Sequence, residues 1–168
     1  VFSCYNYLGM AVDFGFNNNK FTNCYFMGNN LRGTDLTTSA MNIFNNCYWH
    51  NNGANGILNA GGTANNIWNN CVFINNQGEA YRTQGISCND TFNNCTTTNN
   101  TLPAGNGMFS FGGTIYLNNC TINETNEFGF YGGSDGRIYT HNHDNTSNNH
   151  YLYLDLGLIR PQTSVRYS

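Results

Sequence analysis

Five cysteines, Cys24, Cys47, Cys71, Cys95 and Cys120, recur at intervals of 23, 24, 24 and 25 residues. Three of them sit inside near-copies of one phrase: "FNNCYWHNN" (44–52), "WNNCVFINN" (68–76) and "FNNCTTTNN" (92–100). A period of this length marks stacked units, in which each unit meets the surroundings of the one before and so keeps the same residues. Helical arrays have longer periods and need Ala, Leu, Glu and Lys. This chain offers Asn, Gly, Thr and aromatics, so the unit is a coil of β-strands.

Three positions before each cysteine stand Phe21, Phe44, Trp68, Phe92 and Leu117; two after stand Phe26, Trp49, Phe73, Thr97 and Ile122. Alternate residues of a strand share a face, so these positions and the cysteines define three inward columns. Five positions after the cysteine come Asn29, Asn52, Asn76 and Asn100, with Thr125 breaking the series. Such a row predicts an internal ladder, each amide bonding the next coil's and satisfying turn backbone. A sixth rung continues in "THNHDNTSN" (140–148), where His143 takes the cysteine's place and Asn148 falls on the ladder. Ile115 and Tyr116 likewise return as Ile138 and Tyr139.

Between the rungs lie glycine-bracketed segments such as "GMAVDFGF", "NGILNAGG" and "GMFSFGG". Each fits a third short strand with its turns, and three strands account for one coil. Parallel strands about 4.8 Å apart hold the cysteine Cβ atoms beyond normal disulfide reach, so the cysteines are expected as a buried, reduced stack. Cys4, twenty residues before Cys24, could join that column by a shorter coil, whereas Cys88 is off register. Coils are expected over 1–150 as a segment of a longer chain, with 151–168 a last partial coil or a linker.

These "NNC-x-F-x-NN" rungs resemble the right-handed parallel β-helix, or pectate-lyase-like, superfamily over roughly residues 20–150. The resemblance implies an all-β solenoid. It also implies a choice among polysaccharide lyases and hydrolases, bacterial surface proteins, and phage tailspikes and fibres, since one scaffold hosts many activities. The tail "LIRPQTSVRYS" looks like linkers in phage structural proteins.

Composition narrows the partners. Only 9% of residues are charged, while asparagine is about a fifth of the chain, so the surface is polar but barely ionic. A net charge of −3 with six Lys and Arg gives no stripe for a nucleic-acid backbone. No apolar run approaches the roughly 20 residues of a membrane-spanning helix. Any signal peptide is expected outside this chain.

The expected role is therefore that of a structural and recognition segment of an extracellular, cell-surface or virion protein, phage tail- or fibre-like. It would bind host glycans through outward Tyr25, Tyr48 and His50. Outward Tyr25, Met27, Tyr48, Val72 and Ile74 form an apolar stripe that predicts self-association as a homotrimer or filament. The competing reading is a polysaccharide lyase or glycoside hydrolase. Asp13 and Asp35 lie eleven and twelve residues before their cysteines and would stack on adjacent rungs, with Asn59 and then Arg82 continuing the column. A lyase would bring calcium; otherwise no cofactor is expected. His141 and His143 supply too few converging ligands for zinc, so no metal site is expected.

Overall fold

The structure, a computed structural model, describes residues 2–4, 9–12, 17–37, 40–61, 64–85, 87–100, 107–124, 128–133, 136–141, 150–155 and 158–161. They form a parallel β-solenoid of three sheets, with no helix among the described residues. The first sheet stacks the strands that follow each cysteine: Phe2–Cys4, Tyr25–Met27, Tyr48–His50, Val72–Ile74, Thr96–Thr98 and Thr121–Asn123. The second stacks Met10–Val12, Thr34–Leu36, Ile57–Asn59, Tyr81–Thr83, Met108–Phe111, Phe128–Gly133 and His150–Asp155. In the third are Lys20–Thr22, Ile43–Asn45, Ile67–Asn69, Asn89–Asn93, Thr114–Asn118, Arg137–His141 and Leu158–Pro161. All strand pairs are parallel, each coil lying on the next in fixed register, as with Tyr25↔Tyr48↔Val72↔Thr96↔Thr121.

The asparagine pairs of the repeat have separate tasks. The one just before the cysteine turns the corner between the third and first sheets in the left-handed region: Asn23, Asn46, Asn70, Asn94 and Asn119 have φ of 51–54°. Four residues after the cysteine the chain turns that way again, at Gly28 (φ 64°), Asn51, Asn75 and Asn99. Asparagine tolerates this region better than other side chains, and glycine tolerates it at no steric cost. The residue two before the cysteine forms an outer amide row. Asn69 donates to Asn45 at 2.9 Å, Asn93 to Asn69 at 2.8 Å and Asn118 to Asn93 at 2.9 Å.

Inside, the expected columns are present. Phe21, Phe44, Trp68 and Phe92 stack at centroid distances of 4.7, 5.6 and 4.5 Å; Phe26, Trp49 and Phe73 stack at 5.1 and 4.9 Å. Edge contacts tie the columns together, Phe44 to Trp49 and Phe73 to Phe92. The five column cysteines are buried and form no disulfide. From Cys47 onward each thiol has two carbonyls within reach of its single S–H, one being the column aromatic's one coil back: Phe44 for Cys71, Trp68 for Cys95 and Phe92 for Cys120, at 3.4–3.5 Å. A thiol thus serves as a small apolar group that also satisfies a corner carbonyl.

One detail departs from expectation. Cys4 pairs with Met27 rather than Cys24, so it stands off the cysteine column. Cys88, off register as expected, is buried too and donates to the Gly61 carbonyl at 3.1 Å. His143 and Asn148 lie outside the described residues. Ile138 and Tyr139 do pair with Ile115 and Tyr116.

Candidate functional site

The asparagine ladder runs at the corner between the first and second sheets. Asn29 donates from its amide Nδ2 to Asn52 Oδ1 at 2.8 Å, Asn52 to Asn76 at 2.7 Å, and Asn76 to Asn100 at 2.8 Å. Each receiving oxygen also accepts the backbone N–H of the asparagine one coil earlier, at 3.1–3.2 Å. The second amide proton returns to a first-sheet carbonyl, Phe26, Trp49 or Phe73. Glycine stands beside the row because space is absent: a β-carbon on Gly33 would come within 2.8 Å of Asn52 Nδ2 and of the Gly56 carbonyl.

Among the described residues the ladder reaches Glu124, one residue before the Thr125 that counting indicated. Asn100 Nδ2 donates to Glu124 Oε1 at 2.8 Å and its backbone N–H to Oε2 at 2.5 Å. Glu124 is fully buried, and burial raises its carboxyl pKa. A carboxylate has acceptor capacity for both donors of the asparagine one coil earlier.

A second ladder, at the corner between the second and third sheets, was missed from the sequence. Asn19 donates to Asn42, and Asn42 to Asn66, by both backbone and side-chain amides at 3.0–3.2 Å. The Asn66 backbone N–H then meets Asp90 Oδ1 at 2.8 Å. Asp90 also accepts from the Tyr81 hydroxyl and from Asn59 Nδ2 at 2.8 Å. Above it stands apolar Ile115, so an acceptor-only group closes this row. Burial pushes the Asp90 carboxyl up to about 6, against the pull of its hydrogen bonds. The signal was available: all four residues lie five before a column cysteine. A third pair repeats the step, Asn55 donating to the largely buried Glu79. These carboxylates therefore serve the interior, each receiving an asparagine from one coil before.

The proposed sugar-cleaving column is rearranged by the register. Ala11, not Asp13, lies opposite Asp35, and Leu58, not Asn59, stands between Asp35 and Arg82. Asn59 faces inward to Asp90, and Asp13 lies outside the described residues. Asp35 and Arg82 do share an outward column, two coils apart, and both are engaged. Arg32 holds Asp35 at 2.7 Å, and Arg82 lies 3.6 Å from Glu79. Among the described residues no three His, Cys, Asp or Glu side chains gather as a metal site.

On the first sheet Tyr25 and Tyr48 point outward and stack, with centroids 4.9 Å apart and rings 5° from parallel. His50 is two residues on, between Met27 and Ile74 of the adjacent coils. All are half-buried by their neighbours. Val72, Ile74 and then Thr96, Thr98 and Thr121 continue the face, which carries no carboxylate among the described residues. No helix among the described residues is long and apolar enough to cross a membrane.

Residues 6–149 match the family model described as a right handed beta helix region. No curated protein and no solved structure matches the chain.

Proposed function

Because the chain belongs to the right-handed β-helix family, we propose that it is a structural and recognition segment of an extracellular or virion solenoid, phage tail- or fibre-like or bacterial. In this reading it binds glycans on a host or neighbouring surface. The fold is consistent with a carbohydrate-binding or structural surface protein. The observation that carries the reading further is the stacked Tyr25–Tyr48 pair with His50, fixed on a parallel sheet whose described strands carry no carboxylate. Aromatic rings take the apolar faces of sugars, and the phenol and imidazole groups take hydroxyls. A panel of immobilised glycans tests this: the parent chain binds at least one, and Tyr48→Ala weakens that binding at least tenfold without lowering the melting temperature by more than a few degrees.

Self-association belongs to the same proposal, since Met27, Val72 and Ile74 make part of this face apolar. A homotrimer or filament would cover them, and light scattering of the parent protein reads the state directly. The enzyme reading has less support, because Asp35 is ion-paired and its stacking partner is an alanine. A retaining hydrolase needs two carboxylates about 5 Å apart.

A further inference from the structure

We propose that Tyr81 is a one-electron redox site inside the solenoid, a buried phenol that gives an electron to a radical-type oxidant while its proton passes to the Asp90 carboxylate. This activity is independent of glycan recognition.

The first observation is a path for the proton. The Tyr81 hydroxyl donates directly to an Asp90 carboxylate oxygen, and both residues are fully buried. Asn59 Nδ2 donates to that same oxygen at 2.8 Å and to the phenol oxygen at 3.2 Å, which holds the pair together. A base within hydrogen-bond reach takes the proton as the electron leaves, so no charged phenol radical is stranded in the dry interior. Burial first, and then the Asp90 charge, pushes the Tyr81 pKa well above its ordinary value. The proton is therefore kept until the electron goes.

The second is a path for the electron. Trp68 meets Tyr81 edge-on, with ring centroids 5.2 Å apart, and is itself stacked between Phe44 and Phe92. Its indole N–H is buried and has no hydrogen-bond partner among the described residues. An oxidised Trp68 thus has no base at its nitrogen to relieve the positive charge, whereas the ring beside it does. The oxidising equivalent moves from Trp68 to Tyr81.

The third is shelter. Ile57 and Met108 flank Tyr81 in its sheet, and the Phe92 ring stands edge-on to it at 4.9 Å. A neutral radical held there is kept from coupling with a second tyrosine. The step balances: the phenol O–H bond breaks, an O–H bond forms on Asp90, and one electron reduces the oxidant. A one-electron reductant such as ascorbate reverses both transfers, so the pair disposes of oxidising equivalents without covalent change to the chain.

The test is photo-oxidation of the full chain by a ruthenium tris-bipyridyl complex with persulfate, frozen at increasing delays after the flash and read by electron paramagnetic resonance. The parent is expected to keep a neutral tyrosyl radical after the signals of surface tyrosines have decayed. Tyr81→Phe, which removes one oxygen, should lose that persistent signal and leave a tryptophan radical. Asp90→Asn still accepts the hydroxyl but is no base, and should lose it too. Tyr116→Phe, on an outward ring, should keep it. A persistent tyrosyl signal in Tyr81→Phe, or none in the parent, overturns the assignment. Retention in a folded Asp90→Asn overturns the proton path, and if that variant does not fold, Tyr81→Phe alone still decides whether Tyr81 is the site.

Discussion

The backbone and side-chain amides of Asn100 are both satisfied by one group, the Glu124 carboxylate, which continues the ladder formed by Asn29, Asn52, Asn76 and Asn100. The arrangement predicts an order of stabilities. Glu124→Ala leaves two buried donors unpaired and should cost about 1–3 kcal/mol. Glu124→Gln should cost less, because one amide oxygen can accept both donors, as Asn52 and Asn76 already do. Urea unfolding of the two variants checks the order.

Asp90 predicts a pH dependence. Its folded pKa of about 6 lies above the unfolded value of 3.8, so between these the folded state binds more protons than the unfolded one. Stability contributed by this group is present at low pH and falls as pH rises from about 4 through 6, by about 3 kcal/mol in all. Glu124, raised in the same direction, adds to the trend. The groups facing Asp90 are Tyr81, Asn59 and Asn66, with the Cys88 thiol close enough to act on it and Ile115 above. Unfolding midpoints measured from pH 4 to 8 should decline in the parent, and the decline should shrink in Asp90→Asn.

Neighbouring asparagines should respond differently. Asn76→Ala removes a ladder member and should cost about 1–3 kcal/mol. Exposed Asn75 makes its contribution through its φ of 54°, so Asn75→Ala should cost about 1 kcal/mol and Asn75→Gly less. Equal melting shifts for Asn76→Ala and Asn75→Gly would contradict the assigned register.

Met41 is half-exposed yet has a φ of 57°, a conformation its side chain disfavours. Asn18, one coil earlier, makes the same turn at 61° with a better-suited residue. Met41→Asn should raise stability by about 0.5–1 kcal/mol, read as a higher melting temperature.

The thiol column should stay reduced. The six described cysteines are buried and form no disulfide; burial raises the pKa of Cys95 within the column and of Cys88 beside it, while hydrogen bonds from neighbouring thiols lower those of Cys71 and Cys120, so burial of the sulfurs is what shields the column. Alkylation of the native protein should leave them untouched and modify them once denatured. Recovery of a Cys47–Cys71 disulfide would sink the model of a stacked thiol column.

Much of this architecture was legible because solenoid stacking repeats an environment, and cysteine spacing therefore located the three inward columns and the first ladder. What escaped has physical causes. The coil from Cys95 to Cys120 has 25 residues, but its corner after Asn123 is one residue shorter than the corner after Thr98, so Glu124 takes the place that counting gave to Thr125. The second ladder was hidden because its last member is Asp90, which reads as a surface charge until its register with Asn66 is known. The sequence put Arg82 near the column of Asp35, and the strand register places both opposite Leu58, two coils apart. The residues between and below them were off by one or two, because turns flanking the second sheet vary in length and no repeated letter marks its register. As to the glycan candidates, outward direction could be read from alternation, but the stacking of Tyr25 on Tyr48 required the coordinates.

The central claim, recognition without cleavage, is tested most directly by incubating the parent protein with each glycan that it binds and measuring binding and product together. The account predicts saturable binding, weakened by Tyr48→Ala, with no new reducing ends or unsaturated sugars over the incubation. Sustained product formation that disappears in Asp35→Asn would contradict it and reinstate the enzyme.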